Sequence, residues 1–279
     1  MAKKKRKKAT LFTDLLVIIV FFTGLAVFAY PFVARAVNFV VTDYRLKRDA
    51  QTAKENAAKR EKEQKEFNEE LARVGMRPNA DVFHQPGQGI QDVSALKKHL
   101  IGAVTIPKLN VNLPLYDTVN DTILESGAAV LPGTSYPTGG KSTHTVVSAH
   151  SGVPSKTLFD DLEDLKKGQQ FIITVNDKHL AYKVNTIEVI EPDDTSRLKI
   201  EAGKDLATLM TCTPVGINSH RLLVTGYRVP YTEATAKAAR DGDRRAWWQN
   251  LGIIAAAAVG LGALIALIVR AVKKHRVVR

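Results

Sequence analysis

The sequence predicts an all-β domain of roughly 130 residues, a normal single-domain size, held between two membrane-spanning helices. Three observations carry that prediction. Between Ile101 and Pro230 the chain falls into short apolar and β-branched runs separated by Gly, Pro, Asn and Asp, the pattern of a barrel or a sandwich. On either side of that region lie two uncharged apolar stretches, Leu15 to Ala34 and Leu251 to Val269, each near the ~20 residues that cross a bilayer as a helix. The excess positive charge sits beyond those stretches, at the two ends of the chain.

That distribution removes one class of function. The net charge is +12, which by itself resembles a nucleic-acid binder. Six basic residues (Lys3, Lys4, Lys5, Arg6, Lys7, Lys8) occupy positions 1–8, and five (Arg270, Lys273, Lys274, Arg276, Arg279) occupy 270–279. Setting those eleven aside leaves 29 basic against 28 acidic residues. The body is nearly neutral, so no groove for nucleic acid is indicated. Basic flanks instead predict that both termini are cytoplasmic and the β-domain lies outside. The tails would hold the spans against anionic lipid. A cleaved signal peptide is the competing reading for the first run, because Ala34-Arg35-Ala36 resembles a cleavage site. The run exceeds the ~7–15 apolar residues of such a peptide, which favours an uncleaved anchor.

In chain order, residues 1–14 form the basic tail and 15–41 the first span, with Pro31 as a place for a kink. Residues 42–74 mix acids and bases near i, i+4 without Gly or Pro. They predict a solvated helix that spaces the body from the membrane. A coiled coil is disfavoured by the scarcity of apolar residues at heptad positions. Residues 75–94 are irregular, broken by Gly75, Pro78, Pro86, Gly87 and Gly89. The β-domain, 95–230, has eight expected strands: Ala103–Ile106, Val111–Tyr116, Thr143–Ala149, Gln170–Val175, His179–Val184, Ile187–Glu191, Leu206–Thr211 and Leu222–Arg228. Asn176-Asp177-Lys178 marks a hairpin turn, and a short helix is expected within Ser155 to Leu165. A polar stalk, 231–250, leads to the second span, 251–269, where Trp247 and Trp248 suit the interface. The second basic tail is 270–279. There is no His and Cys cluster at zinc spacing and no glycine-rich phosphate loop, so neither metal nor cofactor is expected.

Cys212 is the only cysteine. An outside domain with one thiol cannot close an internal disulfide, so the thiol is used, buried and inert, or paired between chains. It lies where one expected strand ends, and Arg221 lies where the next begins. A thiol beside a guanidinium points to covalent catalysis with a cation nearby. An inert core thiol beside a surface arginine is the alternative. Among the histidines His150 stands out, at the end of an expected strand and before Ser151-Gly152, where a side chain can face a cleft. His220 would face away from Arg221 if the segment is extended.

The segments Thr208-Leu-Met-Thr-Cys-Thr-Pro, Ser148-Ala-His-Ser-Gly and Arg221, together with Glu191-Pro-Asp-Asp-Thr-Ser and a span at each end, resemble the sortases. The resemblance is to the pilin-polymerising class C, and it covers about residues 95–230. It implies an eight-stranded sortase-type β-barrel with short helices and a cysteine transpeptidase activity. Cys212 would attack the Thr carbonyl of an LPXTG-type sorting signal, Arg221 would hold the oxyanion, and His150 would protonate the leaving Gly amine. A Lys amine of a pilin would then take the acyl group. The partners implied are pilins or surface proteins bearing such a signal, and membrane lipid. Thr211 and Thr213, which flank Cys212, are candidates for the oxyanion site or substrate groove. The family's His-Arg-Gly is here His150-Ser151-Gly152. Asp81-Val82-Phe83 is the candidate for the Asp-Pro-aromatic lid of pilin sortases, lacking the Pro, with a plain linker as the alternative. A thiol near pKa 8.5 beside an imidazole near 6.5 leaves only a small thiolate fraction at neutral pH, so a slow enzyme is expected. Two other readings stay open: a housekeeping-type sortase that uses a cell-wall precursor amine, and a non-catalytic scaffold.

Overall fold

The structure is a computed structural model that describes residues 2–75 and 93–276. Eight strands make up the body: β1 (Leu100–Ile106), β2 (Val111–Tyr116), β3 (Ala128–Val130), β4 (Thr143–Ser148), β5 (Gln170–Val175), β6 (Lys178–Ile190), β7 (Asp205–Thr213) and β8 (His220–Val229). They close into one barrel in the order β1-β2-β3-β4-β7-β8-β6-β5. Only the β2–β3 and β4–β7 pairs are parallel. Four helices complete the described chain: α1 (Ala2–Val74), α2 (Val93–His99), α3 (Asp121–Ser126) and α4 (Glu233–Arg276).

Alternation along the strands fills the barrel. Val147, Ala149, Ala207, Leu209, Leu222 and Val224 join its main buried cluster, with Phe171 stacked on Tyr182 at 5.5 Å between ring centres. The intervening residues face outward. Val146, Met210 and Leu223 form a second cluster under Leu131, Ile190 and Leu198. The side of β4, β7 and β8 outside the barrel is therefore covered too. The β5–β6 hairpin turns on Asn176 and Asp177, both left-handed (φ 49° and 58°), as a two-residue turn demands, and Val175 pairs with Lys178.

The eight strands are reached by a different division from the one the pattern predicts. His179–Val184 and Ile187–Glu191 are one strand, β6. A bulge lies between Val184 and Thr186; residues 178–183 pair with β5, while β8 pairs with β6 on both sides of the bulge, from Ala181 to Ile190. The missing eighth strand is β3, three residues long and paired parallel to β2. Just before it, α3 is a single capped turn: Asn120 accepts the Ile123 N–H at 2.8 Å through its side chain. The helix expected within Ser155–Leu165 shrinks to a 3₁₀ turn at Leu162–Asp164. The stretch read as a polar stalk is helical instead. Thr232 caps it through the Thr235 N–H, and α4 runs without a break into the apolar segment.

Helix α1 also departs from the simple spacer. It passes through Pro31 and continues to Val74. Its outer half lies along the barrel, with Ala53 and Ala57 buried. Asn56 donates to the Lys97 and Leu100 carbonyls at 2.7 and 3.0 Å. Asn68 bridges the backbone of Tyr136, donating to its carbonyl at 2.9 Å and accepting its N–H at 2.8 Å. Its inner half and that of α4 are long and apolar enough to cross a membrane. The two helices meet at Phe39 and Trp247, whose ring centres are 6.1 Å apart, and the indole N–H donates to Asp43 at 3.1 Å.

Candidate active site

The site is built on three adjacent strands, β4, β7 and β8, with Cys212 on the middle one. Antiparallel pairing sets Cys212 directly opposite Arg221. Opposed residues share a face, with Cβ atoms about 4.5–5.5 Å apart. Both fall on the outward face that also carries Met210 and Leu223. Cys212 is 5% exposed and Arg221 is fully buried. A buried guanidinium needs acceptors. The turn between the strands supplies two: Arg221 Nη1 donates to the carbonyls of Asn218 at 3.1 Å and His220 at 3.0 Å. That turn is tight because Pro214 O accepts the N–H groups of Ile217 and Asn218, with Gly216 and Asn218 left-handed. The turn thus holds one end of the guanidinium, on the residue that pairs with Cys212.

His150 comes from the other flank. The parallel β4–β7 register ends at Ser148 opposite Met210. Beyond it the two segments stay tied: Ala149 N–H donates to Met210 O at 3.2 Å, and the Thr211 hydroxyl donates to Ala149 O at 2.8 Å. The Ser151 hydroxyl donates to Cys212 O at 2.7 Å. Two residues past Ser148 the chain is level with Cys212, two residues past Met210. A sulfur thus has an imidazole-bearing segment on one side and a guanidinium-bearing strand on the other.

His150 is half-buried, and burial pulls its pKa below the ordinary histidine value. Asp121 and Glu125 of α3 pull the other way, while Lys156 in its own loop lowers it further. Burial thus favours the neutral imidazole.

The other sequence candidates divide. Thr211 and Thr213 alternate onto the side of β7 opposite Cys212. Thr211 is buried, and its hydroxyl is committed to Ala149 O, so it joins strands instead of facing a groove. Thr213 is half-buried at the end of β7, opposite His220. Asp81 and Phe83, the candidate lid, lie outside the described residues. His220 turns away from Arg221 as expected, toward Glu191 at 3.3 Å and the Ser219 hydroxyl at 2.8 Å. His144 is a buried structural residue, bonded to Lys199 O and Thr208 Oγ1. Ser151, Asp121 and Glu125 were not singled out as site residues. For Ser151 the signal was its place directly after His150. For the two acids it was an i, i+4 spacing in a segment not read as helix.

Comparisons with known proteins place the domain among relatives of the same fold. A family model for the sortase domain matches residues 104–229. A curated relative, Sortase A of Bacillus anthracis, is 31% identical over 137 residues, 49% of this chain and 63% of its own length. Sortase A of Streptococcus agalactiae serotype III (strain NEM316) is 32% identical over 117 residues, 41% of this chain and 47% of its own. The chain thus spans less than two thirds of those curated relatives. Solved structures match at greater coverage. Sortase C-1 of S. pneumoniae superposes with a TM-score of 0.58 at 35% identity, covering 68% of this chain and 98% of that one. Sortase C-1 of Actinomyces oris gives 0.56 at 38%, covering 63% and 99%. A pilus-related sortase C of Group B Streptococcus gives 0.56 at 38%, covering 67% and 97%.

Proposed function

The chain belongs to the sortase family, and from that premise we propose that it is a membrane-anchored cysteine transpeptidase that polymerises pilins. The observation that carries this reading is the strand order β4-β7-β8, with Cys212 between the His150 segment and Arg221. In the proposed reaction the Cys212 thiolate attacks the Thr carbonyl carbon of an LPXTG-type signal and forms a C–S bond. The carbonyl oxygen becomes an oxyanion beside the Arg221 guanidinium, whose fixed fork and permanent charge suit it. As the Thr–Gly C–N bond breaks, His150 gives its proton to the leaving Gly amine. An incoming Lys amine then attacks the thioester carbon and releases its proton to His150. The C–S bond breaks, and the thiolate returns with a new isopeptide bond formed.

This sequence needs imidazolium and thiolate together, while burial favours neutral imidazole. The competent ionisation state is therefore a minority, consistent with a slow enzyme. A covered outer face disfavours water as the second nucleophile.

The topology we infer is two spans, both basic termini on the cytoplasmic side and the barrel outside. The basic ends beside each apolar segment support it. The test is incubation of the full chain in lipid nanodiscs with a sorting-signal peptide and either a pilin domain or a wall-precursor amine. A mass-mapped Cys212 thioester followed by a Lys-linked pilin product is expected. Transfer only to the wall amine would replace this reading with a wall-anchoring sortase. An unchanged Cys212→Ala variant would refute covalent catalysis.

A further inference from the structure

The loop from His150 to Asp160 is closed on itself by two bonds. Phe159 N–H donates to His150 O at 3.0 Å, and Gly152 N–H donates to Asp160 Oδ1 at 2.8 Å. Gly152 is left-handed (φ 77°), a conformation that a side chain bearing a Cβ would strain at this corner. The other oxygen of the same carboxylate, Asp160 Oδ2, is 3.1 Å from Arg35 Nη2. Arg35 belongs to α1, one residue past the apolar stretch that ends at Ala34. Its Nε donates to Pro154 O at 3.1 Å, and Asn38, one turn on, donates to Ser155 O at 2.7 Å. The loop that begins with His150 is thus gripped at three points by the top of the anchor helix.

We propose that Arg35 is a positioning residue for the active site, acting through Asp160 and Gly152 on His150 and on the Ser151–Cys212 bond. On this view the anchor is part of the catalytic architecture as well as a tether. Asp160 is the joint. One carboxylate oxygen holds the loop, and the other takes the cation that fixes where the loop sits. Its side chain is only 9% exposed; burial pushes the carboxyl pKa up, and the Gly152 N–H and the Arg35 guanidinium are the partners that pull it back toward the charged form. The proposal rests on the sortase reading only for the role of His150.

The test uses the full chain in lipid nanodiscs with a sorting-signal peptide, comparing Arg35→Ala, Asp160→Asn and the double variant. Small displacements of a catalytic group are costly, so each single change should lower kcat about tenfold while KM stays within about twofold. The double variant should be no slower than the slower single, because both changes cut one connection. Arg35→Lys should recover part of kcat. Hydrogen exchange of the 150–160 peptide should speed up in Arg35→Ala with the rest of the barrel unchanged. Unchanged exchange in that peptide, or losses that multiply in the double variant, would overturn the proposal. If even the unmodified chain transfers no peptide, the sortase reading fails, and the exchange arm alone decides whether Arg35 positions the loop.

Discussion

The Ser151 hydroxyl donates to the carbonyl oxygen of Cys212 at 2.7 Å. The residue after the histidine is thereby fastened to the backbone of the cysteine, although the strands that carry them have already ended their ladder at Ser148 and Met210. Ser151 is buried, so the carbonyl it serves has no ready replacement in water.

Ser151→Ala removes that buried bond. Stability should fall by about 1–3 kcal/mol, read by denaturant unfolding. Peptide-transfer kcat should fall several-fold as the His150 segment loosens. Ser151→Thr retains the hydroxyl and should keep more of both.

Arg221→Lys is predicted to be far from conservative. A lysine keeps the charge but cannot hold the Asn218 and His220 carbonyls and face the sulfur in one plane. Loss of an oxyanion donor typically costs ~10²–10³ in kcat, and a loss in that range is expected at little change in KM. Arg221→Ala should lose activity and, in addition, stability, because two turn carbonyls lose their donor.

The pH profile should respond with opposite signs to two neighbours of His150. Asp121→Asn removes a charge that raises the imidazole pKa, and Lys156→Gln removes one that lowers it. If imidazolium with thiolate is the active pair, lowering the imidazole pKa shrinks the active fraction across the plateau. Asp121→Asn should therefore lower plateau kcat/KM and move the acid limb to lower pH. Lys156→Gln should raise the plateau and move that limb to higher pH. Shifts of the same sign in both variants would reject that ionisation scheme.

Glu61 on α1 ties the helix to the β5–β6 hairpin. Lys178 lies 2.5 Å from it, and Lys65 and Asn176 also engage it, holding its carboxyl at a pKa of about 2. A depressed carboxylate stabilises the fold above its unfolded value, and that stabilisation is lost as pH falls through the folded one. Acid unfolding of the native chain should therefore steepen between pH ~4.3 and ~2. Glu61→Gln should be less stable at neutral pH and flatter across that window. Unfolding midpoints over the pH range check it.

The sequence carries the strand pairing of the candidate site plainly. Cys212 and Arg221 bracket a turn rich in Gly, Pro and Asn between two apolar runs, so their pairing follows from local pattern. His150 is legible for a similar reason, since a β-branched run stops just before it. What stayed hidden was held by tertiary contacts. β3 is too short to show alternation, and α3 is one turn whose stability lies in the Asn120 cap and buried Ile123 and Leu124. Thr211 looked like a groove residue because it adjoins Cys212, but a step of one along a strand changes sides. The grip of Arg35 on Asp160 is a direct ion pair between residues far apart in the chain, and no local pattern of side chains announces it. The charge mixture of residues 42–74 marked a helix correctly. Its docking depended on two small residues, Ala53 and Ala57, and on asparagines that reach backbone carbonyls.

A rod that runs from an apolar half to lie flat against the barrel sets more than a distance. Helix α1 rises from its apolar half without a break and is bonded to the body at Asn38, Asn56 and Asn68 in turn, while α4 braces it beside Phe39. On the proposed two-span topology the candidate site is consequently kept at one altitude and one compass bearing over the lipid, and polypeptides emerging from the same membrane would meet it at that height and from that side.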